Sequence, residues 1–198
     1  MDIMNILISS KNKDKIKEIK NLFDNKYVNL VTLDKFPNAP DVIEDGETLY
    51  DNALKKAKLL SEYTGMATIS DDTGLEVDAL DGRPGVYSAR YAGENVTYDD
   101  NVNKMIKEIT PFPEDKRTAA FKTVAVYYSE NKIIAEEGKV DGVILTKRRG
   151  SGGFGYDPIF YLEEVDKTYA ELTSDEKNKM SHRARAFKKL IKRIETEL

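Results

Sequence analysis

The chain contains no cysteine. A disulfide framework and any thiolate metal site are therefore excluded. It has one histidine, His182, so a multi-histidine zinc or iron centre is excluded, as is a Ser–His–Asp site that does not use this residue. No apolar run approaches the ~20 residues that a membrane helix needs. Met1-Asp2-Ile3-Met4-Asn5 has neither a basic flank nor a small-residue cleavage site, so no signal peptide is expected and the protein reads as cytoplasmic. There is no excess of positive charge: 31 basic residues against 35 acidic give a net charge of −4, which argues against a broad nucleic-acid footprint. No internal repeat and no low-complexity linker interrupts the chain.

What is present is an ordinary globular composition, 40% apolar and 33% charged over 198 residues, enough for one domain or for two lobes sharing a core. Ile3 to Ser9 reads as a buried strand. Asn12 to Phe23 follows as a helix, with Ile16, Ile19, Leu22 and Phe23 on its buried side. This start predicts an α/β fold. Val28 to Leu33 is a second strand, and Thr48 opens a helix that Thr64-Gly65 ends, with Leu49, Asn52, Ala53, Ala57, Leu59 and Leu60 giving it a buried side. Met66 to Ile69 is another strand and Leu75 to Leu80 a further short one, with Ser70-Asp71-Asp72-Thr73-Gly74 between them. Thr97 to Ile109 is a helix capped by Thr97, with acids in its first turn. Thr118–Tyr128 and Ile133–Leu145 read as an antiparallel hairpin with both faces partly buried. Thr173 and Glu176 form a capping box, and Ser181 caps a last helix with Phe187, Leu190, Ile191 and Ile194 as its stripe.

Five stretches carry candidate chemistry, and each has a plainer reading. Asp71-Asp72 at a strand end suits Mg²⁺, which takes one or two carboxylates together with substrate phosphate oxygens; Asp-Asp-Thr-Gly also suits a turn. Ser9 to Lys15 is either a phosphate site at a helix N-terminus or a capped helix with a basic first turn, and the glycines of a Walker loop are missing. Ile43-Glu44-Asp45-Gly46-Glu47-Thr48, with Asp51-Asn52 and Lys56 beyond, is either a metal-site contributor or an acidic helix start. Gly152-Gly153-Phe154-Gly155-Tyr156-Asp157-Pro158 is either a ligand-cradling loop with an aromatic stacking platform or a flexible turn. Lys177 and Ser181-His182-Arg183 are either base-recognition donors or an ordinary helix cap.

Taken in order, these stretches, with Pro84 to Tyr91 and Glu171-Leu172-Thr173, closely resemble the inosine triphosphate pyrophosphatase family over nearly the whole chain. The resemblance implies a mixed α/β sheet with flanking helices, forming two lobes of one domain around a central active-site cleft. It implies a homodimer that hydrolyses non-standard purine nucleoside triphosphates (ITP, dITP, XTP) to the monophosphate and pyrophosphate with Mg²⁺. It gives Asp72 as proton acceptor and metal ligand, and Glu44 as second metal ligand. Ser10, Lys11, Asn12, Lys15 and Lys56 would meet the phosphates, Lys11 standing where many members have glycine. Thr73 would also contact substrate. Phe154, Gly155, Tyr156 and Asp157 would form the nucleotide loop, and Lys177, His182 and Arg183 would lie on the base side. Two other readings stay open: a pyrophosphatase with a different base preference, and a nucleotide-binding module without turnover.

Overall fold

The structure, a computed structural model, describes residues 3–23 and 27–197. Met1 and Asp2, part of the stretch read for a targeting signal, lie outside the described residues. The chain divides into two compact units: Met1–Asp72 with Thr123–Gly138 and His182–Leu198, and Thr73–Lys122 with Lys139–Ser181. The fold is the expected mixed α/β type.

In the first unit, β1 (Met4–Ile8) pairs in parallel with β2 (Val28–Thr32) and with the start of β3 (Ala67–Val77). The strand order continues through β5 (Thr118–Ser129) to β6 (Lys132–Ile144). Strand alternation sends successive side chains to opposite faces. Ile6, Ile8, Ile69, Ala125, Tyr127 and Ile134 meet Ile19 of α1 (Lys13–Leu22) and Phe187, Leu190 and Ile194 of α5 (His182–Glu197). On the other face, Leu7 packs with Leu60, and Val126 with Ala53 and Ala57, all three partners from α2 (Leu49–Thr64). A side chain's position in the strand therefore decides which helix it meets.

In the second unit, β3 to β6 keep the same order and β6 is followed by β7 (Phe160–Leu162) and β8 (Lys167–Thr168), both antiparallel additions. The two-residue β4 (Pro84–Gly85) pairs with β3. The core joins Leu75, Val77 and Phe121 to Met105 and Ile109 of α3 (Tyr98–Ile109) and to Phe160 and Tyr169. The expected Thr173–Glu176 capping box closes the start of α4 (Ser174–Met180), and Thr97, the expected cap of α3, forms a second box with Asp100.

One expectation fails. Asp71-Asp72-Thr73-Gly74 is not a break between two strands. β3 runs unbroken from Ala67 to Val77, and Asp78–Leu80 forms a 3₁₀ turn. The strand that ends beside the carboxylates is β1: its register with β3 stops at Ile8–Ile69, and Ser9 N–H closes the ladder on the Ile69 carbonyl at 2.8 Å. Beyond that point β1 no longer pairs with β3, while the strand carrying Asp71 and Asp72 continues.

Candidate active site

Adjacent positions on β3 place the two carboxylates on opposite faces, and this determines their partners. Asp71 follows Ile69 toward α1 and α5. Its Oδ2 accepts from Arg183 Nε and Nη2 at 3.2 and 3.1 Å, and Lys15 Nζ lies 3.2 Å away. Arg183 also reaches Glu18 of α1 at 2.5 Å. Arg183 is 2% exposed and Asp71 2%. Burial disfavours the ionised Asp71, but Lys15, Arg183 and Lys56 outweigh it and hold its carboxyl well below the usual range. The same burial lowers the pKa of Lys15 despite Asp71, with Lys56 and Arg183 adding to the fall.

Asp72 faces α2. Asn52 Nδ2 donates to its Oδ2 at 3.0 Å, and Lys56 Nζ lies 3.7 Å from its Oδ1. Lys56 is closer to Glu44, at 3.1 Å. Burial pushes the Asp72 carboxyl above its ordinary value; Lys56 and Lys15 oppose the rise and Glu44 adds to it. The two neighbours are thus shifted in opposite directions, Asp71 toward the anion and Asp72 toward the protonated form.

Local chemistry sets these positions. Asn12 caps α1, its Oδ1 accepting from the N–H groups of Asp14 and Lys15 at 2.9 and 3.2 Å. This takes up donors that a phosphate could have used and leaves the charge of Lys15 as the stronger attraction. Ser10 Oγ accepts from Asn12 N–H at 3.2 Å. Lys11 forms an exposed pair with Asp41. Thr48 caps α2 by accepting from Asp51 N–H at 3.1 Å, so Asp51 belongs to the cap. Asn52 does double duty: its Oδ1 accepts from Gly46 N–H at 2.7 Å. A Cβ on Gly46 would come within 2.7 Å of that same oxygen, so the glycine lets the Glu44 loop dock on α2. Gly138 does the same for α5. A Cβ there would overlap the His182 carbonyl oxygen and come within 2.5 Å of Ala186 N. His182 is buried at the start of α5.

The second unit holds the other candidates. Thr73 is half-buried on β3. Asp157 Oδ2 accepts from Phe154 N–H at 2.8 Å and from Lys177 Nζ at 2.6 Å, a pair buried on both sides. Lys177 Nζ also sits 4.8 Å from the Phe154 ring centroid and 5.5 Å from that of Tyr169. Gly153 has φ +70°, and a Cβ on it would overlap Asp157 Oδ2, so the loop needs glycine there. The Tyr156 ring belongs to the core, its hydroxyl donating to the Ser88 carbonyl at 2.9 Å. Tyr98 lies beside Phe154, ring centroids 5.8 Å apart.

The structure thus gathers Lys15, Glu44, Lys56, Asp72 and Arg183 in the first unit and Phe154, Asp157 and Lys177 in the second. Asn52 belongs to the Ile43–Lys56 stretch but had no expected role of its own, and Glu18 and Tyr98 were not among the expected site residues. Asn52 sat on the predicted buried side of α2, where a polar residue needs a partner; Glu18 and Tyr98 gave no signal.

Among the described residues, no group of three or more His, Cys, Asp or Glu forms a metal cluster. Glu44 and Asp72 nonetheless fit Mg²⁺: both are hard oxygen donors, both lie against the one Lys56 ammonium, and this ion needs only one or two protein carboxylates.

The sequence matches the Ham1 family over residues 6–193. A dITP/XTP pyrophosphatase of Thermoanaerobacter pseudethanolicus is 47% identical over 196 residues, covering 97% of this chain and 99% of that protein. One from Bacillus cereus is 45% identical over 192 residues, covering 96% and 94%. Among solved structures, a HAM1 protein from Coxiella burnetii superposes with a TM-score of 0.89 at 35% identity, covering 99% of this chain and 100% of that one. A nucleoside-triphosphatase / dITP/XTP pyrophosphatase from Mycobacterium abscessus gives 0.76 at 38% identity, covering 95% and 99%.

Proposed function

This chain belongs to the Ham1 family, and we propose that it hydrolyses non-standard purine nucleoside triphosphates such as dITP, XTP and ITP to the monophosphate and pyrophosphate. The observation that carries the mechanism is the different surroundings of the two carboxylates, Asp71 held by Lys15 and Arg183 and Asp72 facing Asn52 and Lys56. Lys15 and Lys56 attract the triphosphate. Glu44 and Asp72 would hold Mg²⁺, which when bound offsets phosphate charge. Asp72 accepts a proton from the water that attacks the α-phosphorus. Asp71, fully engaged by Lys15 and Arg183, serves as a positioning residue for both. On the base side, Phe154 offers a ring face, while Lys177 and Asp157 brace its loop. His182 and Arg183 are assigned to the 6-keto edge. The Arg183 guanidinium is already bonded to Asp71 and Glu18, so a purine contact must share it with one of them. The protein would act in the cytoplasm as a homodimer, which sedimentation can check.

The test is pyrophosphate release with Mg²⁺ across ITP, dITP, XTP, ATP and GTP, together with hydrolysis in ¹⁸O-water. Label on the monophosphate and preference for the first three substrates are expected. Orthophosphate as first product, or equal use of ATP, would refute the reading.

A further inference from the structure

Ser9 ends β1 and is 4% exposed, and its Oγ has no hydrogen-bond partner among the described residues. Buried hydroxyls are normally paired, and one that is not calls for an explanation. Its place in the strand supplies one. Leu7 points to the α2 face and Ile8 to the α1 and α5 face, so alternation returns Ser9 to the α2 face. Its backbone N–H is bonded to the Ile69 carbonyl, which sets it alongside Ser70. On this face Ser70 Oγ is already spent on the Ala53 carbonyl at 2.5 Å, and Asp72 is held by Asn52 and Lys56. The Ser9 hydroxyl thus lies on the face that carries the proton acceptor, one residue before the segment expected to meet phosphate. Ser10 N–H turns back to the Ile8 carbonyl at 2.9 Å, so the chain bends at Ser9 and the next residues leave the sheet.

We propose that Ser9 Oγ donates a hydrogen bond to a phosphoryl oxygen of the bound nucleotide, as a substrate contact additional to Ser10, Asn12 and Lys15. This rests on the reading that phosphates bind beside Asp72. No covalent step is involved: the hydroxyl keeps its proton and exchanges an unpaired buried state for a charge-assisted hydrogen bond.

Ser9→Ala tests it, because removing an unpaired hydroxyl leaves the packing almost unchanged. Calorimetric titration with inorganic tripolyphosphate in Mg²⁺ should show affinity about tenfold weaker in the variant, the size expected for one hydrogen bond to a charged group. kcat/KM for ITP should fall in parallel, while Tm stays level or rises. Unchanged tripolyphosphate affinity in the variant overturns the proposal, and so does a lowered Tm, which would show the hydroxyl to be a structural bond to the protein or a trapped water. A wild type that binds tripolyphosphate in a Ser9-dependent way yet releases no pyrophosphate from ITP sinks the substrate reading alone. A wild type that turns ITP over as well as Ser9→Ala does sinks this proposal alone.

Discussion

Replacing Arg183 by methionine isolates the cost of the ion network under the site. The substitution keeps an unbranched, flexible side chain that fills much of the space and removes the guanidinium. Glu18 and Asp71 then lose their shared partner. Asp71 retains Lys15 at 3.2 Å, whereas the Glu18 side chain, 15% exposed, has only partial access to water. Breaking a buried pair by removing one member costs ~3–5 kcal/mol, and the surviving Lys15 contact favours the lower end. For a chain of this size ~1 kcal/mol shifts Tm by about 2–4 °C, so Arg183→Met is expected to melt roughly 6–12 °C below wild type. Scanning calorimetry at neutral pH without nucleotide measures this directly. Because the three groups act as a unit, Asp71→Asn combined with Arg183→Met should cost less than the sum of the single changes. A variant that melts within about 2 °C of wild type, yet loses its ITP-over-ATP preference, would refute the structural role and return Arg183 to base recognition alone.

Gly138→Ala should destabilise by at least ~1–3 kcal/mol, because its methyl meets backbone atoms of α5 that cannot swing aside; urea unfolding reads the loss, and an unchanged midpoint would show that α5 does not sit so close. Lys177→Met strands Asp157 in a buried site and loosens the Phe154 loop, so KM for ITP should rise more than kcat falls; a pure kcat effect contradicts a base-side role. Acid stability checks the Asp71 assignment. Its folded pKa lies below the unfolded value of ~3.9, so its contribution is complete above that value and is lost as pH falls through the acid range. Wild-type Tm should therefore fall more steeply than that of Asp71→Asn only below about pH 4, the two running parallel above it, and parallel slopes below that value would refute the locked carboxylate.

Much of the fold was readable because its signals are local. The Thr97 cap and the Thr173–Glu176 capping box lie within one turn of chain, and the stripe of Phe187, Leu190 and Ile194 repeats with the helix. The continuity of β3 was not readable. Asp-Asp-Thr-Gly has turn composition, and only its neighbours in the sheet and the pairing of Leu75 with Gly85 keep it extended. The burial of Arg183 was also hidden, since its partners lie 112 and 165 residues away in sequence and a basic residue at a helix start is ordinarily solvated. Residue types at the site could be matched to a family, but which of two adjacent aspartates would be quenched depended on which face of β3 each occupies.

The same charges bear on whether the proposed Mg²⁺ is needed for nucleotide binding. In the first unit Lys15, Lys56 and Arg183 face Glu18, Glu44, Asp71 and Asp72, so the cations there are already matched by carboxylates and one negative charge is left over. A triphosphate entering this cluster brings several more negative charges into a poorly solvated place, where repulsion is weakly screened. Lysines held by carboxylates cannot neutralise it unless those carboxylates find another cation. A divalent ion on Glu44 and Asp72 would release Lys56 toward the phosphates and cancel the excess, which makes ion and nucleotide mutually dependent ligands. Binding of ITP to the Asp72→Asn protein, measured at several fixed Mg²⁺ concentrations, tests this coupling. In wild-type protein with the metal chelated, nucleotide affinity should be weak, and Mg²⁺ should strengthen it by at least tenfold; in Asp72→Asn, which has one fewer charge to cancel, nucleotide should bind better without metal and gain less from it. Equal metal dependence in both proteins would show that Asp72 does not hold the ion.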